Sequence, residues 1–265
     1  MKHLKFIIVI AVMFSLALFL GRQAQATIYG SSLIGWWNMD NNRISGTSLS
    51  DVSGNSVTGT LTNTPTTGIA GIMGQGVKFD AASLEYITTG DVAAYDGLSN
   101  MSVGIWIHDL DADSYETYIA DLGAIVGCGY TYGWVIQRNN TENNIRVLIG
   151  NNSNPLDPAA ANSSGNRLTL NKWHHVMFTY NGAGSTNEDK LKVYTDGIPN
   201  VLTFVGDAIP ASMGANDQGM DIGRYCDGAY TDATVDDARI YNRTLSPAEV
   251  QQLHLSTKPW TGSDI

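Results

Sequence analysis

The chain has 265 residues and a formal net charge of −10, so it is clearly acidic. This charge argues against nucleic acid and anionic membrane surfaces as partners, because both are themselves negatively charged. A chain of this length can form one large domain or two small ones.

The first 26 residues have the pattern of a secretory signal peptide. Lys2 and Lys5 precede an apolar run over 6–20, and a small-x-small cleavage signal ends at Ala26. An uncleaved membrane anchor is the alternative, but the apolar run is short for a spanning helix. We therefore predict a secreted protein, extracellular or at the cell surface, that does not insert into the membrane after cleavage. Cleavage removes Lys2, Lys5 and Arg22 and changes the net charge from −10 to −13.

Most of the remaining chain alternates between apolar and polar residues with a period of two. The alternating segments are LIGWWNM, GVKF, MSVGIWIHDL, GWVIQ, NIRVLIG, WHHVMFTY, KLKVYTDG, GMDIGRY and ATVDDARIYN. Turn-forming stretches such as DVSGNS and NGAGSTNED separate them, which is typical of an antiparallel all-β sandwich or barrel. Asp196-Gly197 predicts a hairpin turn, and the segment 151–166 reads as a long polar loop.

One short helix is predicted near the C-terminus. In LSPAEVQQLH, Ser246 can cap the helix and Pro247 suits its first position. Glu249, three residues after the serine, completes a capping box. The tail after Lys258 is predicted to be loosely ordered.

The two cysteines of the chain are Cys128 and Cys226. An even pair in an oxidising compartment favours a disulfide between them. The alternative is two separate buried thiols. A zinc site is disfavoured, because neither cysteine has a second ligand at the usual spacing.

Eight segments occur together in a recognisable order over residues 33–255. They are WWNMD, DVSGNSVTGTLTN, GIMGQGVKFDAASLEYI, MSVGIWI, NKWHHVMFTYNG, LKVYTDG, MDIGRY and VDDARIYNRTLSPAEVQQL. This order resembles the concanavalin A-like lectin/glucanase superfamily, specifically its LamG-like jelly-roll branch. The resemblance implies an all-β, two-sheet antiparallel jelly-roll sandwich over 27–258, with one short C-terminal helix and a flexible tail over 259–265. It also implies a calcium ion in many members, and glycan or protein binding on loops or on a concave face.

The adjacent histidines of KWHHVMFTYNG are a candidate metal or catalytic pair. On a strand, His174 and His175 point to opposite faces, so they cannot converge on one metal ion. Both faces carry large apolar groups, which favours a packing role. A functional role would require a carboxylate partner from another strand.

The segment DVSGN places oxygen-bearing side chains at Asp51, Ser53 and Asn55 around a glycine turn, which suits calcium. It is not an EF-hand, so other ligands must come from elsewhere in the chain. The resemblance implies that Asp40 and Asp236 meet Asp51 and Asn55 where the terminal strands adjoin, with Asp237 pointing away. A backbone carbonyl such as that of Thr58 would complete a structural site. The alternative is that Asp51 and Asn55 only cap a turn through local hydrogen bonds.

A second acidic segment, DLDADSYE, lacks the spacing of a calcium loop and is interpreted as solvated. Its carboxylates are Asp109, Asp111, Asp113 and Glu116.

The chain lacks the motifs of the hydrolases that share this fold. No strand carries two carboxylates at E-x-D-x-x-E spacing, which would supply the acid and the nucleophile of a glucanase. The G-x-S-x-G elbow of a serine hydrolase is also absent. We therefore predict a non-catalytic protein.

The remaining candidates for function are aromatic residues near predicted turns, because sugars stack on aromatic rings. A Cys128–Cys226 disulfide would bring GCGYTYGW and GRYCDGAY together. We hypothesise a ligand-binding patch there, formed by Tyr130, Tyr132, Arg224, Tyr225, Asp227 and Tyr230. Alternatively, these aromatics cover the sandwich edge. Tyr115, Tyr118 and Trp134 are further turn aromatics, whereas Trp36, Trp37, Trp106 and Trp173 are assigned to the core.

Two classes of function stay open. The first is a module that binds a polysaccharide or glycoconjugate, and the second is an adhesive protein whose partner is an extracellular protein. A glycan binder should present aromatics beside polar side chains in a groove, whereas a protein binder should present a flatter apolar patch.

Overall fold

A computed structural model describes residues 30–110, 117–122, 132–139, 143–151, 159–165, 167–215, 219–225 and 229–257. Several predictions from the sequence lie outside these residues and concern the signal peptide, the disulfide, part of the aromatic patch, the acidic loop and the tail. The residues concerned are 1–26, Asp111, Asp113, Tyr115, Glu116, Cys128, Tyr130, Cys226, Asp227 and 259–265.

The described residues form antiparallel strands and two helices. The strands are β1 (Leu33–Trp37), β2 (Ile44–Ser45), β3 (Ser48–Leu49), β4 (Gly59–Thr62), β5 (Thr66–Ala70), β6 (Gln75–Lys78), β7 (Tyr86–Asp91), β8 (Asn100–Asp109), β9 (Thr117–Leu122), β10 (Tyr132–Asn139), β11 (Asn144–Asn151), β12 (Ala159–Ser163), β13 (Trp173–Asn181), β14 (Leu191–Thr195), β15 (Ile198–Pro199), β16 (Leu202–Val205), β17 (Gly219–Ile222), β18 (Arg224–Tyr225), β19 (Ala229–Tyr230) and β20 (Ala233–Tyr241). The helices are α1 (Asn187–Lys190) and α2 (Pro247–Thr257).

Two large sheets build the molecule. The eight-stranded sheet has the order β15-β14-β13-β8-β20-β6-β5, with β1 paired to β20 beside this path. The ten-stranded sheet has the order β16-β12-β11-β10-β9-β17-β7-β4-β3-β2, and β18 and β19 form a separate ribbon. The predicted jelly-roll sandwich is therefore confirmed, including the pairing of the first strand with the last.

The main core lies between the two large sheets. Val103, Ile105 and Ile107 of β8 belong to the same buried cluster as Ile136 of β10 and Val147 of β11. Their period-two spacing aims every second side chain of each strand into the space between the sheets. Trp37 and Trp106 are buried, as predicted, and Trp36 and Trp173 are half-buried; Tyr118 and Trp134, expected in turns, are also buried.

Helix α2 covers the side of the eight-stranded sheet that points away from the main core. Val250 and Leu253 pack against Met177, Tyr194 and Tyr241, in a cluster distinct from the main core. The predicted capping box is present at the start of the helix. Ser246 Oγ accepts a hydrogen bond from the Glu249 backbone N–H at 3.3 Å, and Glu249 Oε2 accepts one from the Ser246 N–H at 2.8 Å. Among the described residues, no helix has the length and apolarity needed to cross a membrane.

His175 has the predicted packing role, whereas His174 makes polar contacts, including one to a carboxylate. His175 is buried beneath α2, with its ring 5.2 Å from the Trp106 ring and 6.0 Å from the His254 ring. His174 bridges two loops, because its Nε2 accepts the Thr169 backbone N–H and its Nδ1 lies 2.8 Å from Asp196 Oδ2. The proton of His174 is therefore on Nδ1, which donates to Asp196.

The Asp196-Gly197 hairpin also matches the sequence. Thr195 pairs with Ile198, and the two turn residues have φ of 53° and 75°. A two-residue hairpin turn that matches the right-handed twist of its strands requires both turn residues in the left-handed conformation.

Two expectations from the sequence are corrected by the structure. Residues 151–166 do not form a loop throughout, because β12 lies within them and pairs with β11 and β16. Its sequence, AAANS, carries no alternation, so the strand depends on its two neighbours rather than on local propensity. The NED segment, expected in a loop, begins the one-turn helix α1.

Asp109 is the third correction. It is the last residue of β8, only 2% exposed, and its Oδ2 lies 3.0 Å from Arg138 Nε and 2.7 Å from the Tyr118 hydroxyl. A carboxylate in this position is a buried ion-pair partner and not part of a solvated loop.

Candidate functional site

The face of the ten-stranded sheet that points away from the core carries the most distinctive cluster of polar and aromatic residues. Met220 and Ile222 of β17 are in the main core, so Asp221 between them points to the opposite face. Asp221 pairs in register with Thr88 of β7. We call this side of the sheet the outer face.

Arg224 is the centre of this cluster. Its Nε and Nη2 donate to Asp221 Oδ2 at 2.8 and 2.6 Å, and its guanidinium carbon lies 3.9 Å from the centroid of the Tyr86 ring. Burial disfavours the charged form, but the carboxylate of Asp221 holds the pKa of Arg224 above its ordinary value. A permanently charged donor is thus fixed between a carboxylate and an aromatic face.

Two further tyrosines border the arginine. The Tyr230 and Tyr86 rings are 6.1 Å apart with an interplanar angle of 55°, and Tyr230 pairs with Arg224 across the β18–β19 ribbon. Tyr225 packs on an apolar row of the outer face, formed by Val135, Leu148 and Ala160. The rings of Tyr86, Tyr225 and Tyr230 are all half-buried.

The structure therefore brings together Arg224, Tyr225 and Tyr230 of the predicted ligand-binding set. Tyr132 begins β10, but its side chain is outside the described residues, as are Tyr130 and Asp227. The sequence reasoning missed Tyr86 and Asp221. A usable signal existed for Asp221, because the alternation of MDI places it opposite the two core residues.

The predicted calcium ligands separate into two groups. Asp40 and Asp236 line one cavity of about 510 Å³, together with Asn38, Asp237 and the 72–74 turn. Asp237 was expected to point away from Asp236. A β-bulge in β20 interrupts the alternation, with φ of 53° at Asp237, and both residues line the cavity.

Asp236 is the most unusual carboxyl of this cavity. It is fully buried, its Oδ2 accepts the Ile72 and Met73 backbone N–H groups at 2.9 and 3.0 Å, and its Oδ1 has no hydrogen-bond partner. Burial, more than any other cause, raises the pKa of Asp236 to about 8. The buried Oδ1 of Asn38 also has no partner. Two unpaired oxygens and the carboxylate of Asp40 are donors of the type that calcium prefers.

The second group of predicted ligands lies outside this cavity and is used within a turn. Asp51 accepts the backbone N–H groups of Trp36, at 2.9 Å, and of Ser53, at 2.8 Å. Asn55 donates to the Leu33 carbonyl at 3.0 Å, and Thr58 is exposed. Within the described ranges, no three or more His, Cys, Asp or Glu side chains are grouped so that they could hold a metal ion. Of the predicted ligands, Asp40 and Asp236 share this cavity, and Asn38, which was not predicted, lines it with them.

Three carboxylates also line a cavity of about 430 Å³: Asp80 and Glu85, on either side of one short turn, and Asp232. Burial, more than any other cause, raises the pKa of Glu85. However, each carboxylate accepts a backbone N–H: Asp80 from Ala82, Glu85 from Asp80, and Asp232 from Ala81. These contacts hold the short 3-10 turn at Ala81–Ser83, so the cluster stabilises a loop.

Comparison with known proteins gives the family and the fold. A family model of the Concanavalin A-like lectin/glucanases superfamily matches residues 82–251. No curated protein matches the sequence.

Three solved structures illustrate the likeness of the fold. The first is domain 4 of an extracellular arabinanase from Geobacillus stearothermophilus in complex with arabinotriose, with a TM-score of 0.60 and 18% identity over 84% of this chain and 98% of that one. The second is the ligand binding domain of Botulinum neurotoxin serotype D in complex with N-acetylneuraminic acid, with a TM-score of 0.64 and 18% identity over 88% and 52%. The third is Trypanosoma rangeli sialidase in complex with the inhibitor DANA, with a TM-score of 0.60 and 18% identity over 85% and 33%. The chain thus spans nearly all of the arabinanase domain, but only about half of the toxin domain and a third of the sialidase.

Proposed function

The chain belongs to the concanavalin A-like lectin/glucanases superfamily, and from this premise we propose that it is a secreted, non-catalytic glycan-binding module. Its ligand site is the cluster of Tyr86, Asp221, Arg224, Tyr225 and Tyr230 on the outer face, which we call the tyrosine–arginine cluster. The observation that carries the proposal is the guanidinium held between the Asp221 carboxylate and the Tyr86 ring.

This arrangement suits a sugar for two reasons. Half-buried tyrosine rings offer flat apolar surface to the C–H face of a pyranose or furanose, while their hydroxyls stay polar. The Arg224–Asp221 pair supplies donors and acceptors for vicinal hydroxyls, and its fixed geometry reduces the entropy lost on binding. The arabinotriose and N-acetylneuraminic acid bound to two of the similar structures support this ligand class.

We expect Tyr86→Ala and Arg224→Gln each to weaken glycan binding at least tenfold, equivalent to about 1.4 kcal/mol. The first change removes the stacking surface, and the second removes the charged donor. The measurement is isothermal titration calorimetry with the best ligand from a broad panel of neutral and acidic polysaccharides.

Ile198→Ala is the matched control, because Ile198 is 63% exposed on the other sheet and should leave affinity unchanged. Thermal melts would check that all three variants fold. Wild-type affinity in both cluster variants would disprove the site. A wild-type protein that binds no glycan would disprove the function and favour adhesion to an extracellular protein.

We further propose a structural calcium ion in the cavity lined by Asn38, Asp40 and Asp236. A cation there would supply positive charge to the buried carboxyl of Asp236. It would also tie the residues after β1 to β20 and to the 72–74 turn. The support is the pair of unpartnered buried oxygens, Asp236 Oδ1 and Asn38 Oδ1.

Calcium is expected to raise the melting temperature of the wild-type protein above its value in chelator. At a calcium concentration ten times Kd, the stabilisation should be about 1.4 kcal/mol. Asp236→Asn should abolish the response, since asparagine can still accept the two backbone hydrogen bonds but carries no charge. Asp51→Asn should retain it, because Asp51 does not line the cavity. Equal melting temperatures with calcium and with chelator would overturn this proposal and leave the glycan site untouched.

A further inference from the structure

A second row of polar residues crosses the outer face beside the apolar row of Val135, Leu148 and Ala160. Its members pair in register across four strands: Gln137 of β10 with Arg146 of β11, Arg146 with Asn162 of β12, and Asn162 with Thr203 of β16. We call these four residues the polar row. Thr203 is exposed at one end and Gln137 is 4% exposed at the other, so the row runs from solvent into the sheet.

Alternation places the polar row on the outer face. In β11, Val147 is in the main core, so its neighbours Arg146 and Leu148 point away from it. In β16, Leu202 and Phe204 pack against the main core, which directs Thr203 outward.

Arg146 differs from the other sheltered arginines of the described residues. Arg138, Arg224, Arg239 and Arg243 each contact a carboxylate: Asp109, Asp221, Asp237 and Glu249, respectively. Arg146 is half-buried, no carboxylate of the described part of the chain pairs with it, and its Nε is buried without a hydrogen-bond partner. The Oδ1 of Asn162, directly across the ladder, is also buried without a partner.

A sheltered guanidinium without a carboxylate is unfavourable unless a ligand supplies one. Its planar fork of N–H donors matches the two oxygens of a carboxylate. The acceptor on Asn162, next to it, suits a hydroxyl. An acidic sugar carries a carboxylate and hydroxyls on one ring, which matches a donor fork beside an acceptor.

We propose that the polar row is a carboxylate-binding subsite, and that the glycan recognised by this protein carries an acidic sugar, a uronate or a sialate. This inference rests on the proposed glycan-binding function and names the class of its ligand. Arg146 binds the carboxylate and Asn162 accepts a ring hydroxyl.

The subsite and the tyrosine–arginine cluster lie on one face at a distance that suits an oligosaccharide. Strand β17, which carries Asp221, is three strand spacings from β11, which carries Arg146, or roughly 14 Å. The apolar row, on which Tyr225 packs, continues the ladder line of Asp221 through β9 and lies beside the polar row. A short oligosaccharide therefore has the length to reach both sites.

The test compares acidic probes with neutral ones of the same sugar. Calorimetry at pH 7 and 0.15 M NaCl would use trigalacturonate against its methyl ester, and 3′-sialyllactose against lactose. We expect at least one acidic probe to bind tenfold or more tightly than its neutral counterpart, and the probe pair that responds identifies uronate or sialate as the source.

Arg146→Gln should remove that preference and leave the affinity for the neutral probe within twofold of wild type. Arg146→Lys should keep part of the preference, because it retains the charge without the fork. Tyr86→Ala should weaken acidic and neutral probes alike. Since Arg146 has no partner in the described structure, neither substitution at this position should lower the melting temperature.

Equal binding of acidic and neutral probes, no binding of any acidic probe, or an unchanged preference in Arg146→Gln would each overturn the inference. A neutral glycan whose binding depends on Tyr86 would then still support the proposed function. Absence of binding to every glycan, neutral or acidic, would instead remove the proposed function and the subsite with it.

Discussion

Replacing Asp109 by alanine is expected to lower the free energy of unfolding by about 3–5 kcal/mol, because it removes a carboxylate that lies against a fully buried arginine. Arg138 is 0% exposed, and its Nε lies 3.0 Å from Asp109 Oδ2. The same oxygen accepts a hydrogen bond of 2.7 Å from the Tyr118 hydroxyl. Urea unfolding followed by tryptophan fluorescence measures the loss.

Two controls separate the buried charge from a general effect of losing an acidic residue. Asp91→Ala removes an exposed carboxylate at the end of β7, and its effect should stay within about 0.5 kcal/mol. The double variant Asp109→Ala with Arg138→Met should regain much of the lost stability, since it also removes the buried charge that Asp109 balances. A loss below about 1 kcal/mol for Asp109→Ala alone would contradict the buried ion pair.

Acidification is expected to destabilise the protein through His175. Burial lowers the pKa of His175 to about 3, and the neighbouring charges of His254 and Arg239 act in the same direction, against a smaller effect of Asp196. In the unfolded chain the ordinary value is 6.5. Between pH 6.5 and pH 3, the unfolded state therefore binds a proton that the folded state excludes, and stability is lost as the pH falls through this window.

The expected size follows from about 1.4 kcal/mol per pKa unit, or roughly 2 kcal/mol between pH 6.5 and pH 5 and about 3 kcal/mol by pH 4. Urea unfolding in chelator at a series of pH values measures it. In His175→Phe, stability should depend much less steeply on pH over this range, whatever its stability at pH 7. His108→Gln, which changes a half-buried histidine of β8, should keep the wild-type dependence. Equal pH dependence in wild type and His175→Phe would refute the role of this residue.

The strands and their ends could be predicted from the sequence because their signals are local. Alternation over MSVGIWIHDL and WHHVMFTY identified β8 and β13, and the Asp-Gly pair identified the turn before β15. The capping box of Ser246 and Glu249 identified the start of α2. In each case the residues that determine the structure lie within a few positions of one another.

The candidate sites were only partly predictable. Arg224, Tyr225 and Tyr230 were identified as a group because they lie close together in the chain, but Tyr86 reaches them from another strand. The calcium prediction combined Asp40 and Asp236, which do share a cavity, with a turn whose oxygens serve local hydrogen bonds. Residue type could not distinguish the side chains that line the cavity from those that stabilise the turn, since all of them are oxygen-bearing side chains near a turn.

The sequence by itself determined the class of fold and the strand faces, because side-chain period and turn chemistry are properties of short segments. The adjacency of the first and last strands was implied only by the family resemblance. Only the tertiary structure decided that AAANS becomes a strand, that Asp109 is buried against Arg138, and that a bulge places both Asp236 and Asp237 on one cavity. It also decided that Arg146 lies across from Asn162 with no carboxylate beside it. The physical reason is that burial, ion pairing and ladder register depend on which distant strands become neighbours, and that information is absent from any local stretch of the chain.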